Sequence, residues 1–340
     1  MHKNIHIISF LHYLPMAIER ETGMNIRMQA DLVDFKIVDF HLHLPIAQDD
    51  WLRPYREEYV KNYGQERWDI LAEQGKKSME AWLPEFCFPT PEAPSEDYFA
   101  VGERWYREAL SYDLEKVVFV TGGTNEILAQ VVAKHPDKFA GFAHHYIEGE
   151  GAADKLEKAI SQQGLKGYKI LGPVVKTPLD DRRFDDVWEV AYSHEIPVLV
   201  HFGILGGGGG IVSGHNVNPL AIAEVAKRFP KIRFIVPHFG CGYTKELLHL
   251  CWASRNVYID TSGNNLWAKW MPETLTLEGL FRKFYETIGP ERIIFGTDSE
   301  WFPRGFAVRY LLDQLRACRS LNMPEPHIRC IFRENALGLL

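Results

Sequence analysis

Short apolar runs alternate along this chain with stretches in which apolar residues recur every three or four positions. The runs predict strands at 35–42, 116–121, 139–144, 167–170, 197–201, 233–238, 257–261 and 292–296. Between them, "NEILAQVVAKHPDKF" sets Ile127, Leu128, Val131 and Val132 on one helical face. "FDDVWEVAYSHEIP" does the same with Val187, Trp188 and Ala191. "NPLAIAEVAKRFP" opens on Asn218 with Pro219 at the first helical position and stops at Pro230, a start and a stop signal in one segment. "TKELLHLCWAS" and "VRYLLDQLRACRSL" complete the helical set. Strands separated by helices pair in parallel, with the helices covering the sheet. Eight such units predict an α/β chain, a closed (β/α)8 barrel rather than an open sheet.

Two segments break the rhythm. Residues 49–102 carry Trp51, Tyr55, Tyr59, Tyr63, Trp68, Trp82, Phe86 and Phe88 among several prolines. A connection this long is expected to have structure of its own. It reads as a partly helical insertion after the first strand, placed over the barrel mouth as a lid, a subunit contact or simple packing on the rim. Residues 1–34 include "IHIISFLHYLPMAI", which His6, His12 and Pro15 interrupt. That run is too short and too broken for a bilayer span and lacks a clear cleavage site. The expectation is an extension ahead of a 35–340 barrel domain, or initiation at Met24 or Met28.

Composition changes this picture little. With 46% hydrophobic and 24% charged residues the chain is ordinary globular protein, and a net charge of −7 gives no reason to expect nucleic acid or an anionic membrane as partner. Five cysteines without CxxC spacing fit a reducing, cytoplasmic setting better than a disulfide framework.

The chemistry gathers at the strand ends. "IVDFHLHLP" closes the first strand, and strict alternation would set Asp39, His41 and His43 on one face and Val38, Phe40 and Leu42 on the other. The two imidazoles would then lie about 7 Å apart on one side, within reach of one ion. His201 ends "IPVLVHFG", His238 ends "FIVPHFG", Asp298 follows "IIFGT", and Lys169 sits near the end of the fourth strand. Barrel active sites are built at the carboxyl ends of strands. A single histidine there is an ordinary core residue; four with an aspartate form a donor set for a borderline divalent ion, Zn²⁺ first and Mn²⁺ second. His144 and His145 are read as pocket or core residues. Arg304 and Arg53 are candidates for holding a substrate carboxylate, although single arginines are commonly surface ion pairs. Trp301, Trp267 and Tyr243 are candidates for an apolar pocket wall. The glycines at 206–210 lack phosphate-loop spacing and read as a mobile or disordered loop.

These motifs, taken in order, resemble the amidohydrolase superfamily and within it the amidohydrolase-related family. "VDFHLHL", "GLKGYKI", "IPVLVHFG", "NPLAIAEVAKRFPKIRFIVPHFG", "NVYIDTSG" and "ERIIFGTD" are similar to its strand signatures, and "RENALGLL" to its C-terminal helix. The resemblance implies a metal-dependent TIM-barrel enzyme with His41, His43, His201 and Asp298 on the metal and His238 as a catalytic histidine beside it. Asp298 would take the proton of a metal-activated water, and His238 would polarise a carbonyl or hold developing charge. Lys169 is either a carbamylated bridge between two metals, as in part of the superfamily, or a contact to solvent or substrate. The implied activity is hydrolysis of an amide, ester or lactone. The alternative is non-oxidative decarboxylation of an aromatic or unsaturated acid, and the third reading is a barrel with a structural metal. A small-molecule substrate and a homodimer are the expected partners.

Overall fold

The computed structural model describes residues 32–46, 53–203 and 214–340. Eight strands lie side by side in chain order, every neighbouring pair parallel. They are β1 (Val38–His43), β2 (Lys116–Thr121), β3 (Phe139–Ala143), β4 (Gly167–Leu171), β5 (Pro197–His201), β6 (Arg233–Val236), β7 (Val257–Asp260) and β8 (Ile293–Ile294). The last strand returns to the first: Phe40 N donates to Phe295 O at 3.2 Å, Asp298 N to His41 O at 2.8 Å, and His43 N to Ser299 O at 2.8 Å. The barrel is (β/α)8, as the alternation predicts. β8 is shorter than expected because Phe295 N leaves the ladder and donates to Ile331 O.

Alternating strand positions separate two apolar layers. Val38, Phe40, Val118, Val120, Phe142, Leu199, Ile235 and Ile294 form one cluster with the C-terminal Ala336 and Leu339, which fill the inside of the barrel and its lower end. Phe119, Phe139, Tyr168, Val200, Phe234 and Ile259 belong to the larger layer beneath the helices. Filling both faces explains why the strands read as near-continuous apolar runs.

Strict alternation fails in β1. Its register against β2 slips between Asp39 and Leu42 and again between Leu42 and His43. The extra residue lets Phe40 join the inner cluster while the neighbouring His41 turns to Asp260 and His238. Asp39 therefore does not share a face with the histidines, contrary to the expectation above. It meets Thr297 instead.

After β1 come α1 (Arg53–Tyr63) and α2 (Gln65–Trp82), packed on each other with Tyr59 against Tyr63 and Trp68, and with most described side chains solvent-facing. The next helix, α3 (Tyr98–Ser111), buries Val101, Trp105 and Ala109 and is the barrel's own first helix, so residues 98–102 belong to the barrel. Asp97 caps it by accepting from Ala100 N at 2.9 Å. Further round are α4 (Asn125–Lys134), α5 (Ala152–Ser161), α6 (Asp185–Ser193), α7 (Ala223–Arg228), α8 (Thr244–Ala253), α9 (Leu277–Ile288) and α10 (Val308–Ser320). The sequence reading did not single out α5 or α9. The Asn218 start signal holds in altered form: Asn218 accepts from Leu220 N, but the first turn, Pro219–Ile222, is a 3-10 helix.

The expected extension lies outside the described residues up to residue 31. Val33 is buried in the core and Asp34 pairs with Arg329 at 2.8 Å. The glycines at 206–210 also lie outside the described residues. All five cysteines are free, and among the described residues no helix is long and apolar enough to cross a membrane.

Candidate metal centre

The ends of β1, β6, β7 and β8 bring the polar residues together. His41, wholly buried, sets Nδ1 2.6 Å from Asp260 Oδ2, itself wholly buried at the end of β7. A carboxylate accepts, so the proton sits on Nδ1 and the lone pair on Nε2. Among the described residues that Nε2 has no hydrogen-bond partner, and it lies 3.5 Å from Asp298 Oδ1. His238, just beyond β6, is fixed in the same tautomer: its Nδ1 lies 3.0 Å from the Ser262 carbonyl, which can only accept. Ser262 Oγ stands between the two rings, 3.1 Å from His41 Nδ1 and 3.0 Å from His238 Nδ1. His41, His238 and Asp298 thus offer three ligand atoms within 4.8 Å of one another.

This donor set fits a divalent cation. A buried imidazole lone pair with no donor facing it is costly unless a Lewis acid takes it. Carboxylate and carbonyl partners on the far nitrogen are how metal-binding histidines are oriented. Burial, opposed by Asp260, lowers the His41 pKa to about 4, so the ring is neutral at pH 7, as a ligand must be. Burial also pulls the Asp298 carboxyl upward, but His238, the hydrogen bond from His43 and the neighbouring His41 ring outweigh it and hold it well below the usual carboxylate range.

The other expected site residues are distributed around this trio. His43 Nε2 is 3.1 Å from Asp298 Oδ1, and its Nδ1 is 2.6 Å from Thr121 Oγ1. His201 stacks edge-on with His238 at 5.0 Å between ring centres, and burial, His238 and Lys169 keep it well below the ordinary histidine range. Lys169 is 3% exposed; burial lowers its pKa to about 8 against the pull of Asp298 and Asp260. Arg304 donates Nη2 to the Asp298 carbonyl at 3.0 Å and lies 3.4 Å over the Trp301 ring. Arg53 stands apart, largely exposed at the start of α1, with Glu57 3.9 Å away. His144 and His145 are structural: His144 Nε2 binds Gly123 O at 2.7 Å and His145 Nε2 binds Ala152 O at 2.9 Å.

The backbone is bent to make this arrangement. His238 (φ 56°) and Asp298 (φ 58°) both adopt left-handed conformations, a strain of ~1–3 kcal/mol each that active sites commonly carry. Gly296 supplies room: a Cβ there would lie 2.8 Å from His41 Cβ and 3.0 Å from Ser262 Cβ. Gly296→Ala is expected to push His41 off Asp260 and weaken metal binding by about tenfold or more, the range seen when a ligand loses its orienting partner; titration of metal-free protein with Mn²⁺ measures it. Asp260, Ser262 and Thr121 were not among the sequence-predicted site residues. The available signal for Asp260 was an acid ending a strand in phase with the inward positions of its neighbours.

The sequence model of the amidohydrolase family matches residues 38–340. A γ-resorcylate decarboxylase of Rhodococcus jostii is 23% identical over 55% of this chain and 71% of its own. A 5-carboxyvanillate decarboxylase of Novosphingobium aromaticivorans, solved with manganese and 4-hydroxy-3-methoxy-5-nitrobenzoic acid, superposes with a TM-score of 0.58 at 16% identity, covering 90% of this chain and 96% of that one. A probable 2-pyrone-4,6-dicarboxylic acid hydrolase of Acinetobacter baumannii gives 0.56 at 14% identity, covering 90% and 99%.

Proposed function

The chain belongs to the amidohydrolase family, and from that premise we propose that its barrel mouth decarboxylates hydroxylated aromatic acids without an oxidant. The coarser statement stands by itself: this is a metal-dependent enzyme, a hydrolase or a carboxy-lyase. Putting carboxy-lyase first reverses the order expected from the sequence, where hydrolysis led. The support for the reversal is the likeness to named decarboxylases in both sequence and fold.

The observation that carries the metal chemistry is the Nε2 of wholly buried His41, unpartnered among the described residues and facing Asp298. His41 and Asp298 would hold the ion with His43 and His201 beside them, in a set that leaves His238 Nε2 free and positions open for substrate. Mn²⁺ is favoured by the manganese in a relative's complex, Zn²⁺ by the imidazole-rich donors. When bound, the ion supplies a Lewis acid for the substrate's hydroxyl and carboxylate oxygens. His238 is the proton carrier. With Nδ1–H tied to the Ser262 carbonyl, only Nε2 can take up and release a proton. The ring carbon accepts that proton, the bond from carbon to carboxylate breaks, its electron pair returns to the ring, and CO₂ leaves. His238 is then reprotonated from solvent.

The test offers Mn²⁺-loaded and Zn²⁺-loaded protein a panel of ortho-hydroxybenzoates and a 2-pyrone carboxylate. The expected result is CO₂ in the headspace, equimolar with a phenol that carries one ring deuterium when made in D₂O. Ring opening of the pyrone without CO₂ would establish the hydrolase and sink the decarboxylase.

A further inference from the structure

Asp298 holds a left-handed backbone conformation, φ 58°, which a residue with a side chain keeps only when its surroundings impose it. Both of its peptide groups are tied. The N–H donates to the His41 carbonyl at 2.8 Å, which fixes φ. The C=O accepts from Arg304 Nη2 at 3.0 Å, which fixes ψ. The first tie belongs to the closure of the barrel. The second depends on a side chain that is itself held: the Arg304 guanidinium lies 3.4 Å from the centre of the Trp301 ring and 5.1 Å from that of Phe88. Phe88 in turn stands edge-on to Trp301 and Tyr310, at 6.2 and 5.6 Å between ring centres. Its segment is fastened to the loop after Asp298, where Glu92 N donates to Phe302 O at 2.7 Å.

Resting on the metal-centre reading, we propose that Arg304 is a positioning residue for the metal ligand Asp298, and that Phe88 makes the long β1–β2 connection part of that support. The argument is geometric first. The direction of the Cα–Cβ bond follows from φ and ψ. With its carbonyl released, Asp298 relaxes toward the ordinary backbone regions. Its carboxylate then swings away from His41 Nε2, now 3.5 Å off, and from His43 Nε2, now 3.1 Å off. Arg304 therefore acts on the ion through Asp298, without touching ion or substrate. Electrostatics separates this role from that of a bystander. A cation beside a cation site opposes the ion, and Glu300 and Asp298 both act on this guanidinium. If charge were its whole contribution, a neutral side chain at 304 would free both carboxylates and tighten metal binding. Positioning predicts the opposite sign, because a ligand that loses its orienting partner loses roughly 10–100-fold in affinity.

The experiment is calorimetric titration of metal-free, full-length protein with Mn²⁺. Arg304→Met keeps an unbranched stem between the rings but donates nothing. It is expected to bind Mn²⁺ about tenfold or more weakly than the wild type. Unchanged or tighter binding overturns the proposal. Arg304→Lys keeps a donor for the carbonyl and is expected to stay within about threefold of the wild type. A Lys variant as weak as the Met variant assigns the loss to packing and overturns the proposal. Phe88→Ala frees one face of the guanidinium and is expected to cost about threefold. Should thermal melting show that Arg304→Met does not fold, Phe88→Ala decides, and an unchanged affinity overturns the proposal. A merely structural role would lower the melting temperature of the metal-free protein and leave the Mn²⁺ affinity of the folded variants where it was. The two readings fail separately. A wild type that binds no Mn²⁺ removes the metal centre and the positioning role with it. A wild type that binds Mn²⁺ no better than Arg304→Met removes the positioning role alone.

Discussion

His41→Ala is expected to empty the metal centre and stop turnover. Elemental mass spectrometry on protein purified without chelator should give about one ion per chain for the wild type and below ~0.1 for the variant, because the ion would lose the one buried imidazole that Asp260 holds in place for it. Turnover should fall by at least ~10³-fold, about 4 kcal/mol of transition-state stabilisation. A second effect separates this ligand from an ordinary core histidine. Asp260 is wholly buried and its acidity is maintained against burial chiefly by His41. Removing the imidazole strands that carboxylate, so even metal-free protein should lose ~3–5 kcal/mol in denaturant melts. Unchanged metal content would end the metalloenzyme reading. Two ions per wild-type chain would instead assign Lys169 to a carbamylated bridge.

Asp39 gives the second large effect, in stability alone. Its carboxyl is wholly buried; Thr297 N donates to Oδ1 at 2.9 Å, and Thr297 Oγ1 lies 2.5 Å from Oδ2 and 2.8 Å from Ser299 Oγ. Burial raises its pKa from 3.8 to about 7, against the hydrogen bonds from Thr297 and His41. The folded state therefore holds a proton that the unfolded chain releases near pH 4. Below that pH both states are protonated and the group contributes no pH dependence. From pH 4 to 7 stability falls as pH rises, at up to ~1.4 kcal/mol per unit, and above 7 the loss is complete. Asp39→Asn mimics the protonated acid, its amide donating to Thr297 Oγ1. It is expected to match the wild type near pH 4 and exceed it by about 4 kcal/mol at pH 8. Asp39→Ala, which leaves Thr297 N without an acceptor, is expected to cost ~3 kcal/mol at pH 4.5 and to lose most of that deficit at pH 8, where the wild type's buried carboxyl is ionised. Urea melts at pH 4.5 and pH 8 check both variants; an Asn variant weaker than the wild type at pH 8 would show that the fold does not raise the Asp39 pKa.

How much of this was legible beforehand follows from what each signal depends on. The barrel was readable because strand runs and helical spacing are local, and because connections of that length leave parallel pairing as the outcome. His41, His43, His201, His238 and Asp298 were readable as strand-end residues, since a βα unit delivers its last strand position to the mouth wherever it sits in the ring. Asp260 and Ser262 were not, because their role exists only across the gap between β7 and β1, more than 200 residues away in the chain.

By itself, then, the sequence determined the order of elements, the parallel barrel and the set of imidazoles and carboxylate at its carboxyl end. Tertiary structure alone decided which way each group faces. The β1 bulge turns Asp39 to Thr297 and away from the histidines. The Asp260 carboxylate and the Ser262 carbonyl choose the tautomers of His41 and His238. Trp301, three residues before it, and Phe88, from the segment after α2, pack on the Arg304 guanidinium. The reason is physical: alternation and spacing are properties of neighbouring residues, whereas a bulge, a tautomer and a ring packed on a distant cation are settled by groups that meet only when the barrel closes.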